Sequence, residues 1–133
     1  MFKLANNIWL IIKFGEEEGQ KVHILQIYTH SPECCPIGNP KSLQIMMNWF
    51  KKADKLTAKH GVKVVGIWTD RWGHMSWAVF ETPDMEAFAK FEHEPENLEK
   101  ATINSIETKT VCVATDTLAF FEKLKSSQVP TIA

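Results

Sequence analysis

Residues 28–36 bring a hydroxyl, an imidazole and two thiols close together in the sequence. The only tyrosine, Tyr28, precedes His30 by two positions, and the adjacent cysteines Cys34 and Cys35 follow. A histidine can transfer protons directly, or it can act as the base that activates a neighbouring thiol. We therefore predict that any catalytic residues lie among these four side chains. The alternative is structural: one thiol packs inward, the other is inert, and the tyrosine hydroxyl bonds to the backbone or to a second subunit.

The same stretch raises the question of a metal site. Histidine nitrogens and cysteine thiolates bind zinc, iron or copper. Such atoms are offered by His30, Cys34, Cys35 and His74. However, two adjacent cysteines do not easily close a tetrahedral chelate, and the sequence has no Cys-x-x-Cys pair and no His-x-x-x-His pair. We therefore expect no metal and no other cofactor. The alternative is a transition metal, or a haem with His30 or His74 as its axial ligand.

A second set of candidate residues lies in the middle of the chain, on two predicted strands and the turn between them. Small-molecule pockets are usually lined by aromatic rings with a few polar groups, and a lone arginine can hold a ligand carboxylate. The predicted ligand-binding residues are Trp68, Trp77, Arg71 and His74. The alternatives are core or dimer packing for the tryptophans and an exposed turn charge for the arginine.

The elements that position these residues begin with a strand over Lys21 to His30, where apolar side chains alternate along the chain. A loop with three prolines follows, and Asn39 and Pro40 are typical of a helix N-terminus. The helix should end at Gly61, because glycine is a common C-terminal stop. Its apolar stripe is formed by Leu43, Met46, Met47, Phe50 and Ala53.

Two further strands, residues 62–69 and 75–81, should form a hairpin around the turn at residues 70–74. Thr82 is expected to cap the helix that follows, because threonine side chains accept hydrogen bonds from the first helical N–H groups. Pro95 should end or break that helix, since proline lacks the N–H group that a helix interior needs.

The last part of the chain predicts a second helical piece over residues 97–104, a fourth strand over 106–114 and a final helix. Thr115 or Asp116 would cap the final helix. Cys112 falls in the middle of the predicted strand, so we expect it to pack in the core as a small apolar residue.

The predicted order of elements, β-α-β-β-α-β-α, contains the pattern of a ferredoxin-like α+β fold with an extra C-terminal helix. Right-handed crossovers then give a four-stranded antiparallel sheet in the order 4-1-3-2. Two main helices cover only one face, so the open face should pair with a second copy in a dimeric α/β barrel. The topology also places His30, the two thiols, the 70–74 turn and His93 at one end of the sheet, and His60 at the other.

Length and charge limit the possible partners. The 133 residues suit one domain over residues 21–125, preceded by an arm or extra strand (1–20) and followed by a loose tail (126–133). The net charge of −1 and the single arginine argue against nucleic acid and anionic membranes. The apolar run at residues 8–12 is too short to span a bilayer, which takes about 20 residues. We expect a cytoplasmic protein with reduced thiols.

Two segments of the sequence carry a resemblance to a known superfamily. Residues 61–68 read Gly-Val-Lys-Val-Val-Gly-Ile-Trp, and residues 77–91 include the run Thr-Pro-Asp-Met-Glu-Ala-Phe-Ala. With the hairpin between them, they resemble the dimeric α/β-barrel superfamily over roughly residues 21–115. Its members include antibiotic-biosynthesis-type monooxygenases, haem-degrading enzymes and muconolactone-isomerase-like proteins. The resemblance implies a fold and a homodimer far more than a chemistry, and it assigns no catalytic residue.

Two kinds of function remain open from the sequence. The first is a cofactor-independent oxygenase or isomerase that binds a small hydrophobic compound between sheet and helices, with His30 as the proton-transfer group. The second is a non-enzymatic homodimer that senses a metabolite, a metal or a redox state, or that supports a partner protein. The adjacent cysteines and the apolar N-terminal arm favour the second kind.

Overall fold

Strand β1 (Val22–Thr29) is the first element of the structure, a computed structural model that describes residues 21–127. The remaining elements in chain order are α1 (Pro40–His60), β2 (Lys63–Asp70), β3 (Met75–Thr82), α2 (Met85–Glu92), α3 (Pro95–Ile103), β4 (Ser105–Val111) and α4 (Ala114–Ser127). A short 3-10 turn, Pro32–Cys34, interrupts the loop between β1 and α1. The predicted arm at residues 1–20, and residues 128–133 of the predicted tail, lie outside the described residues.

The described residues divide into two units. Residues 21–111 form one unit, which contains the sheet and helices α1 to α3. Helix α4 belongs to the other unit, and it carries the exposed Phe120 and Phe121, whose ring centroids lie 6.5 Å apart. This helix extends to Ser127, so the first two residues of the predicted tail are helical. The single domain over residues 21–125 stays a prediction.

The four strands form one antiparallel sheet in the order β2-β3-β1-β4. This is the predicted order 4-1-3-2 read from the opposite edge. Strand β1 therefore lies at the centre, hydrogen-bonded to β3 on one side and to β4 on the other. The α+β class, with one four-stranded antiparallel sheet and helices, is confirmed.

Helix α1 begins and ends where the local sequence predicts. The Asn39 side chain accepts hydrogen bonds from the N–H groups of Lys41 and Ser42, both at 3.1 Å. Gly61 ends the helix with a φ of 67°, in the left-handed region that glycine adopts without strain. The two ends of α1 therefore define where the loop after β1 stops and where the chain turns into β2.

The core lies between α1, α2 and one face of the sheet. Three phenylalanines, Phe80, Phe88 and Phe91, pack with ring centroids 5.4–5.6 Å apart. Ile24 and Ala78 from the sheet, and Trp49 and Leu56 from α1, belong to the same buried cluster. Of the predicted apolar stripe of α1, only Ala53 is in this cluster. The other four residues of the stripe lie on a different face of the helix, because the buried face carries Ile45, Trp49, Ala53 and Leu56.

Alternation along the strands sends another set of apolar side chains to the opposite face of the sheet. Leu25 pairs with Val79 there, and Ile27 pairs with Trp77. The pairing of β2 with β3 shifts between Val64 and Gly66, so that Trp68 also lies opposite Trp77. We refer to the surface formed by Leu25, Ile27, Gly66, Trp68, Trp77 and Val79 as the open face.

Two predicted details differ in the structure. Thr82 ends β3 and is buried, and the carboxylate of Asp84 caps α2 instead by accepting the N–H of Ala87 at 2.7 Å. An aspartate at this position also suits the positive end of the helix dipole. Cys112 is exposed instead of packed in the core, because β4 ends at Val111, the residue before it.

The N-terminal cap of α1 gives a first testable expectation. Asn39→Ala should lower the free energy of unfolding by about 1 kcal/mol, because two backbone N–H groups lose their acceptor. Asn39→Asp is the matched control: it also removes the hydrogen bond from Asn39 Nδ2 to the Glu33 carbonyl, but it keeps an acceptor for the helix. Urea unfolding followed by circular dichroism measures both. Equal losses in the two variants would contradict the capping role.

Candidate functional site

A cavity of about 300 Å³ opens between α1 and the end of the sheet at which β1 finishes. Helix α1 supplies its apolar wall, formed by Leu43, Met46, Met47, Trp49 and Phe50. Four of these five belong to the stripe that the sequence predicts, so the stripe lines the cavity instead of filling the core. The loop after the 3-10 turn adds Cys35, Pro36 and Ile37, and strands β2 and β3 add Ile67 and Ala78.

Lys100 of α3 is the buried cation of this cavity, with only 4% of its surface exposed. Its Nζ lies 3.9 Å from the ring centroid of Trp49 and 4.4 Å from that of Tyr28. Burial lowers the pKa of Lys100 to about 7, and the Glu92 carboxylate partly opposes this shift. A large fraction of the molecules therefore carries a neutral amine at neutral pH, and such an amine can accept a proton.

Sequence reasoning missed Lys100, although a signal for it exists. Asn97 and Lys100 are three residues apart on α3, and both are buried. Asn104, the residue that follows the helix, also lines the cavity. A row of polar residues at helical spacing on a buried face indicates a function or a hydrogen-bond network more often than packing alone.

Tyr28, one of the predicted catalytic residues, lines the cavity and is fixed by a buried hydrogen-bond network. Its hydroxyl donates to Gln26 Oε1, while Gln26 Nε2 donates to Glu92 at 3.0 Å and to Thr108 at 3.1 Å. Burial, and then the charge of Glu92, raise the pKa of Tyr28 well above its ordinary value. The phenol therefore stays protonated throughout the physiological range.

His30, Cys35 and His74 meet at the rim of the cavity. His74 Nδ1 lies 3.2 Å from His30 Nε2, and the two rings pack edge to face. The Cys35 sulfur and one nitrogen of each histidine all lie within 4.8 Å of one another. Burial, and then His74, lower the pKa of His30, while a hydrogen bond with Asn104 opposes the shift. His30 is therefore mainly neutral at neutral pH.

The structure separates the other predicted residues. Cys35 is buried and lines the cavity, whereas Cys34 is half-buried beside it. Arg71 lines the cavity mouth from the hairpin turn. Trp68 and Trp77, two of the predicted ligand-binding residues, lie opposite each other on the open face, whereas the cavity is lined by other residues of their strands. The physical reason is strand alternation, because Ile67 and Ala78 take the positions that face the cavity.

His93 is not at the end of the sheet where the sequence places it. Helix α2 ends at Glu92, and the chain turns into α3 before it reaches that end. Glu94, the residue after His93, has its Oε1 atom 2.7 Å from Nε2 of His60, at the far end of α1. Helix α3 then carries the chain back toward the cavity, so that Asn104 rather than His93 reaches His30.

Comparisons with known proteins add no family to this picture. A scan against protein-family models finds no match for the chain, and a search of curated proteins finds no matching relative. Among the described residues, no helix combines the length and the apolar character that crossing a bilayer requires. The chain is therefore defined by its α+β fold and by a mostly apolar cavity that contains a buried lysine, a tyrosine and a histidine.

The buried lysine makes stability depend on pH. Its pKa is about 7 in the folded protein and about 10.4 in an unfolded chain. Between these values the unfolded chain binds more protons, so the free energy of unfolding rises with pH. From about pH 7 to about pH 9.5, the wild type should gain up to about 1.4 kcal/mol per pH unit relative to Lys100→Met.

Urea unfolding at several pH values measures this difference. The pH range ends below the ordinary pKa of tyrosine. Above that pKa the unfolded chain loses its phenol proton while the folded chain keeps it, so the raised pKa of Tyr28 would make the free energy of unfolding fall with pH. Lys41→Met, which removes an exposed lysine of α1, should keep the pH dependence of the wild type. Parallel curves for the wild type and Lys100→Met would contradict the burial of a titrating amine.

Proposed function

We propose that the protein binds a small, mainly hydrophobic compound in the cavity between α1 and the sheet. The observation that carries this proposal is a buried amine, that of Lys100, in a cavity whose wall is otherwise largely apolar. Building such a site is costly, because burial disfavours the charged amine. The volume of about 300 Å³ lies at the lower end of the range for small-molecule sites and suits a compound with a single ring.

We further propose that the bound compound undergoes proton transfer without a cofactor, as in an isomerase or a cofactor-independent oxygenase. The neutral amine of Lys100 would remove a proton from a carbon next to a carbonyl group, forming an enolate and an ammonium ion. In an isomerase, the ammonium would return this proton to a different carbon. Tyr28, held protonated by burial, would contribute a polar group beside the reacting atoms. Lys100 thus takes the role that the sequence suggested for His30.

The proposed relationship to the dimeric α/β-barrel superfamily is supported by the strand order and by the open face. Ferredoxin-like sheets of this order leave one face without helices, and here that face carries Trp68, Trp77, Leu25 and Val79. Two such faces would bury each other in a homodimer with two-fold symmetry. A cytoplasmic location is supported by the three cysteines, which are all free.

A second candidate function is a non-enzymatic sensor or interaction module. Two apolar side chains near the cavity favour it, because Ile37 is 76% exposed in the loop after the 3-10 turn and Trp72 is 90% exposed at the hairpin tip. Large exposed apolar side chains are typical of surfaces that contact another molecule. A sensor would bind the same class of compound without changing it.

Proton transfer can be tested without knowing the natural substrate. In deuterated buffer, the wild type should catalyse exchange of the hydrogens next to the carbonyl of small cyclic ketones, followed by proton NMR. Lys100→Met should lower that rate by at least about a hundredfold, because it removes the proposed base. Lys41→Met should exchange at the wild-type rate.

Two outcomes distinguish a proton-transfer enzyme from a non-enzymatic sensor. Equal exchange by the wild type and Lys100→Met would remove Lys100 as the base. Binding of the ketones without exchange, measured by calorimetry, would favour the sensor. A mass-spectrometric survey of compounds that copurify with the native protein would then show which chemical class the cavity holds.

The open face predicts the oligomeric state. The wild type should sediment with twice the mass of one chain, and Val79→Glu should sediment as a monomer, because a charge would be buried at the centre of the interface. Gln44→Glu, which adds the same charge on an exposed position of α1, should stay dimeric. Analytical ultracentrifugation measures all three, with circular dichroism to verify folding. A monomeric wild type would refute the dimer.

A further inference from the structure

We propose that His30, Cys35 and His74 bind a divalent transition-metal ion of the zinc type at the rim of the cavity. Two imidazoles and one thiol are a ligand set for zinc or copper rather than for calcium or magnesium, which prefer oxygen. The sequence argued against a metal because adjacent cysteines chelate poorly. That objection does not apply here, since only Cys35 of the pair joins the two histidines.

The spacing of the ligand atoms fits a tetrahedral ion. Two nitrogens bound to zinc at about 2.05 Å and at the tetrahedral angle lie about 3.3 Å apart. His30 Nε2 and His74 Nδ1 are 3.2 Å apart. A zinc-bound nitrogen and sulfur lie about 3.6 Å apart, and the three ligand atoms here all fall within 4.8 Å of one another. The two nitrogens thus already have the separation of zinc ligands, and the sulfur lies close to both.

The backbone holds the three ligands in place from three separate segments. The N–H of His30 donates to the carbonyl of His74 at 3.2 Å, which ties the end of β1 to the hairpin. The N–H of Cys35 donates to Pro32, and its carbonyl accepts from Asn39 at 2.9 Å, next to the start of α1. The ligands are therefore positioned by the fold before any ion arrives.

Two features of the histidines point the same way. His74 has a φ of 57°, in the left-handed region that is uncommon for residues other than glycine, and such conformations concentrate at functional sites. The Asn104 amide lies beside the His30 ring and can serve as its hydrogen-bond partner. Metal-bound histidines usually have such a partner, which fixes the orientation of the ring.

Three protein ligands leave a fourth coordination position. Structural zinc sites are closed by four protein ligands, whereas sites that bind an exchangeable molecule have three. His30 and Cys35 both line the cavity, so the fourth position adjoins its interior. The metal site goes beyond the proposed proton transfer and does not depend on it, because Lys100 is not a ligand.

Calorimetry and cobalt absorption test the site directly. The full-length protein, purified without a histidine tag, stripped with a chelator and kept reduced with a phosphine, is titrated with Zn²⁺ and with Co²⁺. One Zn²⁺ per chain should bind, and Co²⁺ should give a thiolate charge-transfer band. His74→Gly removes one ligand while keeping the left-handed backbone accessible, and Cys35→Ser removes the thiolate. Each should lower the Zn²⁺ affinity by more than about tenfold.

Two matched controls use side chains that the proposal leaves out. Cys34→Ser removes the adjacent thiol, and His93→Gln removes an exposed histidine on the far side of the fold. Both should bind Zn²⁺ as the wild type does and keep the charge-transfer band. The proposal is overturned if the wild type binds no stoichiometric Zn²⁺, if His74→Gly binds as tightly as the wild type, or if Cys34→Ser loses the band. His74→Gly decides the question even if Cys35→Ser fails to fold.

Discussion

The hydrogen bond from Trp49 to Asn97 holds α1 and α3 together above the sheet. Trp49 Nε1 donates to Asn97 Oδ1 at 2.7 Å, and Asn97 Nδ2 donates in turn to the carbonyl of Phe91 at 2.6 Å. Both side chains are buried, so losing either partner would leave a polar group unsatisfied, at about 1–3 kcal/mol. The same indole ring faces the amine of Lys100. This pair of side chains therefore helps to set the position of α3, and with it that of Lys100, relative to α1.

Features that depend on local backbone conformation can be predicted from the sequence. Features that depend on where the strands of the sheet begin and end cannot. Asn39 and Gly61 mark the ends of α1 because a cap and a left-handed turn need particular residue types wherever they occur. The sequence predicts the cap of α2 two residues too early, because Thr82 and Asp84 are both good caps and only the end of β3 decides between them. The sequence predicts Cys112 in the core because its neighbours alternate as in a strand, although β4 stops at Val111.

The cavity shows the limit of periodicity most clearly. Leu43, Met46, Met47 and Phe50 recur as a core stripe would, and the sequence alone does not show that the sheet leaves space beneath them. Topology correctly brought His30 beside the 70–74 hairpin, where it meets His74. The prediction fails for His93, because the helix before it ends at Glu92 and the chain turns into α3 before it reaches that end of the sheet. The site thus combines a predicted strand end with a lysine whose burial follows from the packing of α3.

The lowered pKa of Lys100, about 7, links occupancy of the cavity to the proton concentration of the solvent. An anionic compound beside the amine would favour its ammonium form, so binding would draw a fraction of a proton from the buffer. An uncharged apolar compound would displace water and release a proton instead. The heat of binding would then vary with the ionisation enthalpy of the buffer, and the sign of that variation would report the charge of the natural ligand.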